Sequence, residues 1–240
     1  MFNKKGLTKN SKKGGEGKMK NNIILVILAL VLALATAYDC FAANVTPPIT
    51  ISASVTPVAN GVKADISKID GGTLCTPGDD TWTPGQSSIA FGNLNWNTTY
   101  NIFLSQYYFA VDVGVVDNSG NVWTLTHTRT NFQNLAGTAN LNDNVNVSFS
   151  KVYRAAGATQ DTDVPLTGGK VSYANSNSIA YTKTQLKEGD IQGWLRVYYG
   201  IGTGNTNPLC PTDATGVSPI GLDKPAGTYS GQVTFTLTGV

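Results

Sequence analysis

The sequence predicts an all-β fold, a single antiparallel β-sandwich over residues 43–240, preceded by an N-terminal signal helix within residues 1–42. Two observations carry this. Apolar residues recur at alternate positions in segment after segment, the period of strands with one buried face. Clusters of Gly, Pro, Asn, Asp and Thr separate those segments, and no stretch has a convincing helical period. Short strands punctuated in this way suit a sandwich.

The segment that organises the rest is Tyr107 to Thr128. Tyr107, Phe109, Val111, Val113 and Val115 share one strand face, and Trp123, Leu125 and His127 share one face of the next. Between them, Asp117-Asn118-Ser119-Gly120-Asn121 tolerates tight or left-handed geometry, so the pair reads as a hairpin.

Ahead of it, Ile49, Ile51, Ala53 and Val55 alternate with Thr50, Ser52 and Ser54 as a strand that Pro57 should end or place on an edge. Val62 to Ile69 is a weaker strand. Residues 70–86 read as a long loop holding Cys75 and Trp82. Ser88 to Phe91 starts a strand, and Asn93 to Thr99, with Trp96, is a polar connection. Behind the central segment, Asn144 to Tyr153 is a clear strand and Ala155 to Gly169 a loop. Short strands follow near Lys170–Tyr173 and Ser178–Tyr181. Ile191 to Ile201 is a long strand with Trp194 on one face and Leu195, Val197 and Tyr199 on the other. A loop from Gly202 to Ala226 carries Cys210, and Gln232 to Thr238 closes the chain.

The formal charge of +2 misleads, because 7 of the 17 basic residues precede residue 21. Past residue 42 stand 10 Lys and Arg against 13 Asp and Glu, a net of −3, which leaves no basic stripe for phosphates and excludes nucleic acid as a partner. Lys18 and Lys20 precede the apolar run Ile23 to Ala37 and then small residues, the layout of a secretory signal. The run is short against the roughly 20 residues a bilayer span needs. Cleavage is expected after Ala42 in preference to Ala37. Met19 opens a compact signal by itself, so 19–42 is the signal proper and 1–18 an over-extended reading frame. Uncleaved, this segment would be the membrane contact. The expected location is extracellular, at the cell surface.

Two cysteines then remain, Cys75 and Cys210, and an even pair in an exported chain reads as a disulfide. Two free buried thiols are the alternative.

Three segments resemble the WxL domain, a cell-surface module of Gram-positive bacteria. They are Ile89-Ala90-Phe91-Gly92; Val111-Asp112-Val113 through Asp117 to Val122 and Trp123-Thr124-Leu125; and Ala226-Gly227-Thr228-Tyr229 with Val233-Thr234-Phe235-Thr236-Leu237. Phe235 stands where that family has its second tryptophan, and the cysteine pair is no part of its pattern. Ala-Gly-Thr-Tyr before a terminal strand is also similar to spore-coat-U-like and fimbrial sandwich subunits. The WxL resemblance implies non-covalent attachment to peptidoglycan or display in a surface complex.

At i and i+2, Trp123 with Leu125 and Phe235 with Leu237 project together. They either fill the core or line an exposed strip that binds glycan or a partner protein, which makes these four the candidate binding residues. Trp82 and Trp96 are read as loop anchors, with sugar contact as the rival reading. His127, the only histidine, reads as a satisfied core or edge residue, so no catalytic triad is assembled. Acids cluster in turns at Asp79-Asp80, Asp161 with Asp163, and Glu188 with Asp190, as solvated loops before calcium sites. No metal, cofactor or catalytic residue is expected. Two functional classes stand open: a wall-binding module for peptidoglycan or a surface protein, and a pilus, coat or surface-layer subunit. The subunit would assemble by adding the Val45–Val58 strand to a neighbour.

Overall fold

The computed structural model describes residues 49–58, 61–70, 81–115, 122–153, 163–188, 191–204 and 212–239. Contacts divide the chain into Met1–Thr46 and Pro47–Val240, and every described strand belongs to the second unit. The signal segment, Cys75, Cys210, the turn 117–121 and the acids at 79, 80, 161 and 190 lie outside the described residues.

The strands are β1 (Ile49–Val58), β2 (Val62–Asp70), β3 (Thr81–Gln86), β4 (Ile89–Asn93), β5 (Asn95–Asn97), β6 (Ile102–Leu104), β7 (Tyr107–Val115) and β8 (Thr124–Arg129). They continue as β9 (Gln133–Asn134), β10 (Val145–Val152), β11 (Asp163–Ser172), β12 (Ile179–Thr182), β13 (Lys187–Glu188), β14 (Ile191–Gln192), β15 (Trp194–Ile201) and β16 (Gly227–Thr238). One sheet has the order β12-β8-β16-β1-β4, with β9 also on β16; the other runs β11-β10-β15-β7-β2-β3. The all-β sandwich expected from the two-residue period is therefore what forms. Its helical content, among described residues, is the single turn α1 (Lys183–Leu186), opened by a capping box between Thr182 and Gln185, and two 3-10 turns.

Both inner faces fill one core. From the first sheet come Phe91, Leu125, Val233, Phe235 and Leu237, and from the second Phe109, Val111, Val113, Phe149, Val197 and Tyr199. Edge-on ring contacts join the layers, Phe91 to Phe109 at 5.2 Å and His127 to Phe149 at 5.2 Å between centroids. Both pairs cross the sandwich.

Four local expectations need correction. β7 and β8 are not a hairpin: β7 lies in one sheet and β8 in the other, so the chain arches across the sandwich between them. The pattern could not distinguish the two, because an arch and a hairpin both leave alternating apolar faces turned to a core. Trp82 and Trp96 sit on strands rather than in loops, on β3 and β5, and residues 163–169 continue β11. The pairing is not wholly antiparallel, since β1 runs parallel to β16 from Ile49↔Gly227 to Val58↔Thr236. Of the two outcomes expected at Pro57, an end or an edge, the strand continues to Val58, and β4 pairs only with Thr50 to Ala53, so among the described residues Pro57 lies beyond that pairing.

Candidate functional site

The three motif segments meet inside the protein. β8 and β16 are antiparallel neighbours that set Leu125 opposite Leu237 and His127 opposite Phe235. Trp123 is 1% exposed, Leu125 and Phe235 0%, and Leu237 6%. The binding role offered for Trp123, Leu125, Phe235 and Leu237 therefore has no surface to act through; alternation on an inner strand turns all four to the core. Tyr229 is buried as well, and its hydroxyl donates to the Pro225 carbonyl at 2.7 Å, fastening the start of β16.

His127 is the polar bridge of this core. Its Nδ1 lies 2.7 Å from the Ser176 carbonyl, which can only accept, so Nδ1 carries the proton and Nε2 accepts from the Tyr199 hydroxyl at 2.9 Å. Burial pushes its pKa down to about 4, with the Ser176 hydrogen bond pulling upward and the Arg129 charge adding to the fall. With both ring nitrogens engaged and no access to water, it is a structural group.

The chemistry left for a ligand lies on the outer face of the second sheet. Along β15 the core takes Leu195, Val197 and Tyr199, which leaves Trp194, Arg196, Tyr198 and Gly200 facing out. Along β7 the outward set is Tyr108, Ala110, Asp112 and Gly114. Register makes these complementary: Arg196 is opposite Asp112 and Tyr198 opposite Ala110. Continued one step each way, it puts Trp194 beside Gly114 and Tyr108 beside Gly200. Each rung joins a large planar group to a small or short one. At Gly114 the fit is tight, since a Cβ there would lie 2.7 Å from the Trp194 ring.

Arg196 anchors the middle. Its Nε donates to Asp112 Oδ1 at 2.6 Å and its Nη2 to Oδ2 at 2.8 Å, with both side chains buried. Burial works against the guanidinium's charge, but the hydrogen bond and charge of Asp112 outweigh it and raise its pKa. Trp82, which pairs with Ile69 across β2 and β3, covers the guanidinium from the other side with its ring 4.8 Å away. The Tyr198 ring lies 6.5 Å from Trp82 and 6.3 Å from Tyr108. Burial pushes the Tyr198 phenol up to about 12, so it stays a neutral donor. Trp82, Tyr108, Trp194 and Tyr198 are all partly exposed.

Sequence reasoning read Trp82 as a loop anchor, with sugar contact as the rival, and set Trp194 on the face opposite Leu195, Val197 and Tyr199, but missed Arg196, Asp112, Tyr108 and Tyr198. The available signal was in β15, whose outward positions hold Trp, Arg and Tyr where a solvated face usually carries Thr, Ser or Lys. Trp96 is different: it packs edge-on against Phe103 at 5.0 Å and anchors the small β5–β6 hairpin. No cluster of three or more His, Cys, Asp or Glu side chains able to hold a metal occurs among the described residues.

The fold and this face together define an all-β sandwich with an aromatic outer surface. Compared with protein-family models, curated proteins and solved structures, the chain matches none.

Proposed function

We propose that this protein is a non-enzymatic, exported cell-surface module, WxL-like in its motif segments, that binds the cell wall (peptidoglycan) or another surface protein. The observation that carries the reading is the outer face of the β7–β15 pair, where partly exposed rings surround a buried ion pair. Rings kept half in water on a rigid sheet suit recognition. The secretory signal supports export. A disulfide between Cys75 and Cys210 belongs to the same reading, since oxidation suits that compartment.

The experiment is retention of the mature chain, residues 43–240, on insoluble peptidoglycan, with size-exclusion chromatography alongside. A monomer retained by purified wall is the expected result. A monomer that passes through wall and through wall-stripped surface protein alike would refute it.

One observation favours the second reading, a structural subunit assembling by strand addition. β1 is the first described strand, yet it lies between β16 and β4 inside its sheet. A neighbour's β1 could occupy that slot in place of the chain's own. Polymers on a native gel that disappear when β1 is removed would mark that outcome.

A further inference from the structure

We infer that the outer row of the β7–β15 pair is a glycan platform, built for the flat faces of a β-1,4-linked N-acetylhexosamine chain lying along β15. The inference rests on the wall-binding reading for the identity of the sugar.

The exposed apolar surface of the row is aromatic, with the Tyr198 ring turned 74° from Trp82 and 49° from Tyr108. On the same side of the sheet Ile69, Ala110 and Val152 are buried to 1% or less, while Pro165 of β11, opposite Ser150, is exposed at the margin. Among the described residues of β7 and β15, the outward row thus exposes aromatic rings and no large aliphatic side chain. Aromatic faces carry partial negative charge, and the axial C–H groups of a pyranose carry a slight positive one, so the two stack. The cation in the row is already met by Asp112 through two hydrogen bonds, which favours an uncharged ligand over an acidic one.

The rings are also set in place before any ligand arrives. Trp194 lies over the bare backbone of Gly114, and Trp82 is held on the Arg196 guanidinium. Little ordering is left for binding to demand. Trp194 and Tyr198 are four residues apart on one strand, about 13 Å at roughly 3.3 Å per residue. One sugar cannot cover both. A straight, equatorially linked chain can, and its hydroxyl and acetamido groups would meet the Tyr198 and Trp82 donors at the ring edges.

The test is titration calorimetry of the mature chain with soluble β-1,4-linked N-acetylglucosamine oligomers of increasing length, on the wild type, Trp82→Ala, Tyr198→Ala and Tyr198→Phe. Thermal midpoints check that each variant is folded. The inference expects affinity to rise with oligomer length, to fall roughly tenfold or more in both alanine variants, and to survive in Tyr198→Phe, which keeps the ring. An unfolded alanine variant is replaced by Trp82→Leu, which keeps bulk but no ring and is expected to weaken binding equally. Absence of oligomer binding, or binding unchanged by Trp82→Leu and Tyr198→Ala, overturns it. Wall retention that persists in those variants sinks the platform and leaves the wall-binding reading standing. Oligomer binding without wall retention does the reverse.

Discussion

Arg196 grips Asp112 from the neighbouring strand with two nearly parallel hydrogen bonds, 2.6 Å and 2.8 Å long, on the side of the sheet that faces away from the core. Solvent reaches little of either side chain, at 6% and 2% exposure. A pair this dry is costly to break on one side only, because the survivor is left charged and buried. Asp112→Ala and Arg196→Ala should each lose about 3–5 kcal/mol in urea titrations. The double variant Asp112→Ala/Arg196→Ala should lose clearly less than the two singles added together. Additive losses would mean the two groups are not coupled as described.

This pair also marks where sequence reading reached its limit. Strand periodicity was legible because a half-buried strand must alternate: β7, β10, β15 and β16 all follow their Val, Phe and Tyr spacing. The outward residues Asp112 and Arg196 alternate equally well, but their meeting depends on register between strands 84 residues apart. Nothing local sets that register. The arch between β7 and β8 was missed for the same reason, since sheet membership is fixed by distant partners. β3 was missed because Thr, Pro and Gly around Trp82 read as loop, while its ladder to β2 overrides that local preference.

The Trp194–Gly114 contact gives the platform a steric test. Gly114→Ala puts a methyl 2.7 Å from the indole ring, so the ring must swing off the sheet. Near-ultraviolet circular dichroism should lose Trp194 intensity, and stability should fall by about 1–3 kcal/mol. A variant with unchanged spectrum and stability would show that the ring does not lie there.

Trp123 separates core from site. At 1% exposure, its truncation to alanine opens a large cavity and should cost about 3–5 kcal/mol. Phe235→Ala should cost a similar amount, and Phe235→Leu much less. A Trp123→Ala protein that keeps wild-type stability while losing wall retention would restore the binding role to these motif residues.

His127 gives the fold a pH dependence of known sign. Its folded pKa is about 4 against an ordinary 6.5, so in that window the unfolded chain binds a proton that the folded one refuses. Stability from this group is fully present above pH 6.5 and lost as pH falls toward 4. At 1.36 kcal/mol per unit, the loss approaches about 2 kcal/mol by pH 5. Urea titrations at pH 7 and pH 5 should show it in the wild type. The double variant His127→Leu/Tyr199→Phe, which removes both partners of the buried hydrogen bond, should not. Equal slopes in the two proteins would place His127 in water.

The proposed disulfide between Cys75 and Cys210, which lie outside the described residues, makes a prediction that the flanking strands allow. β2 and β15 both run antiparallel to β7, with Asp70 opposite Tyr107 and Tyr199 opposite Phe109. Their C-terminal ends thus leave the same end of one sheet, a single strand apart, or about 10 Å at 4.7–4.9 Å per strand spacing. Cys75 follows Asp70 by five residues and Cys210 follows Ile201 by nine, which is chain enough to close that gap. The closed loop of 135 residues would stabilise by up to about 5 kcal/mol in the chain-entropy model. On that proposal the mature chain, made under oxidising conditions, should resist thiol alkylation until it is unfolded and reduced, and its urea midpoint should drop on reduction. Two thiols that alkylate in urea without reductant would disprove the bond.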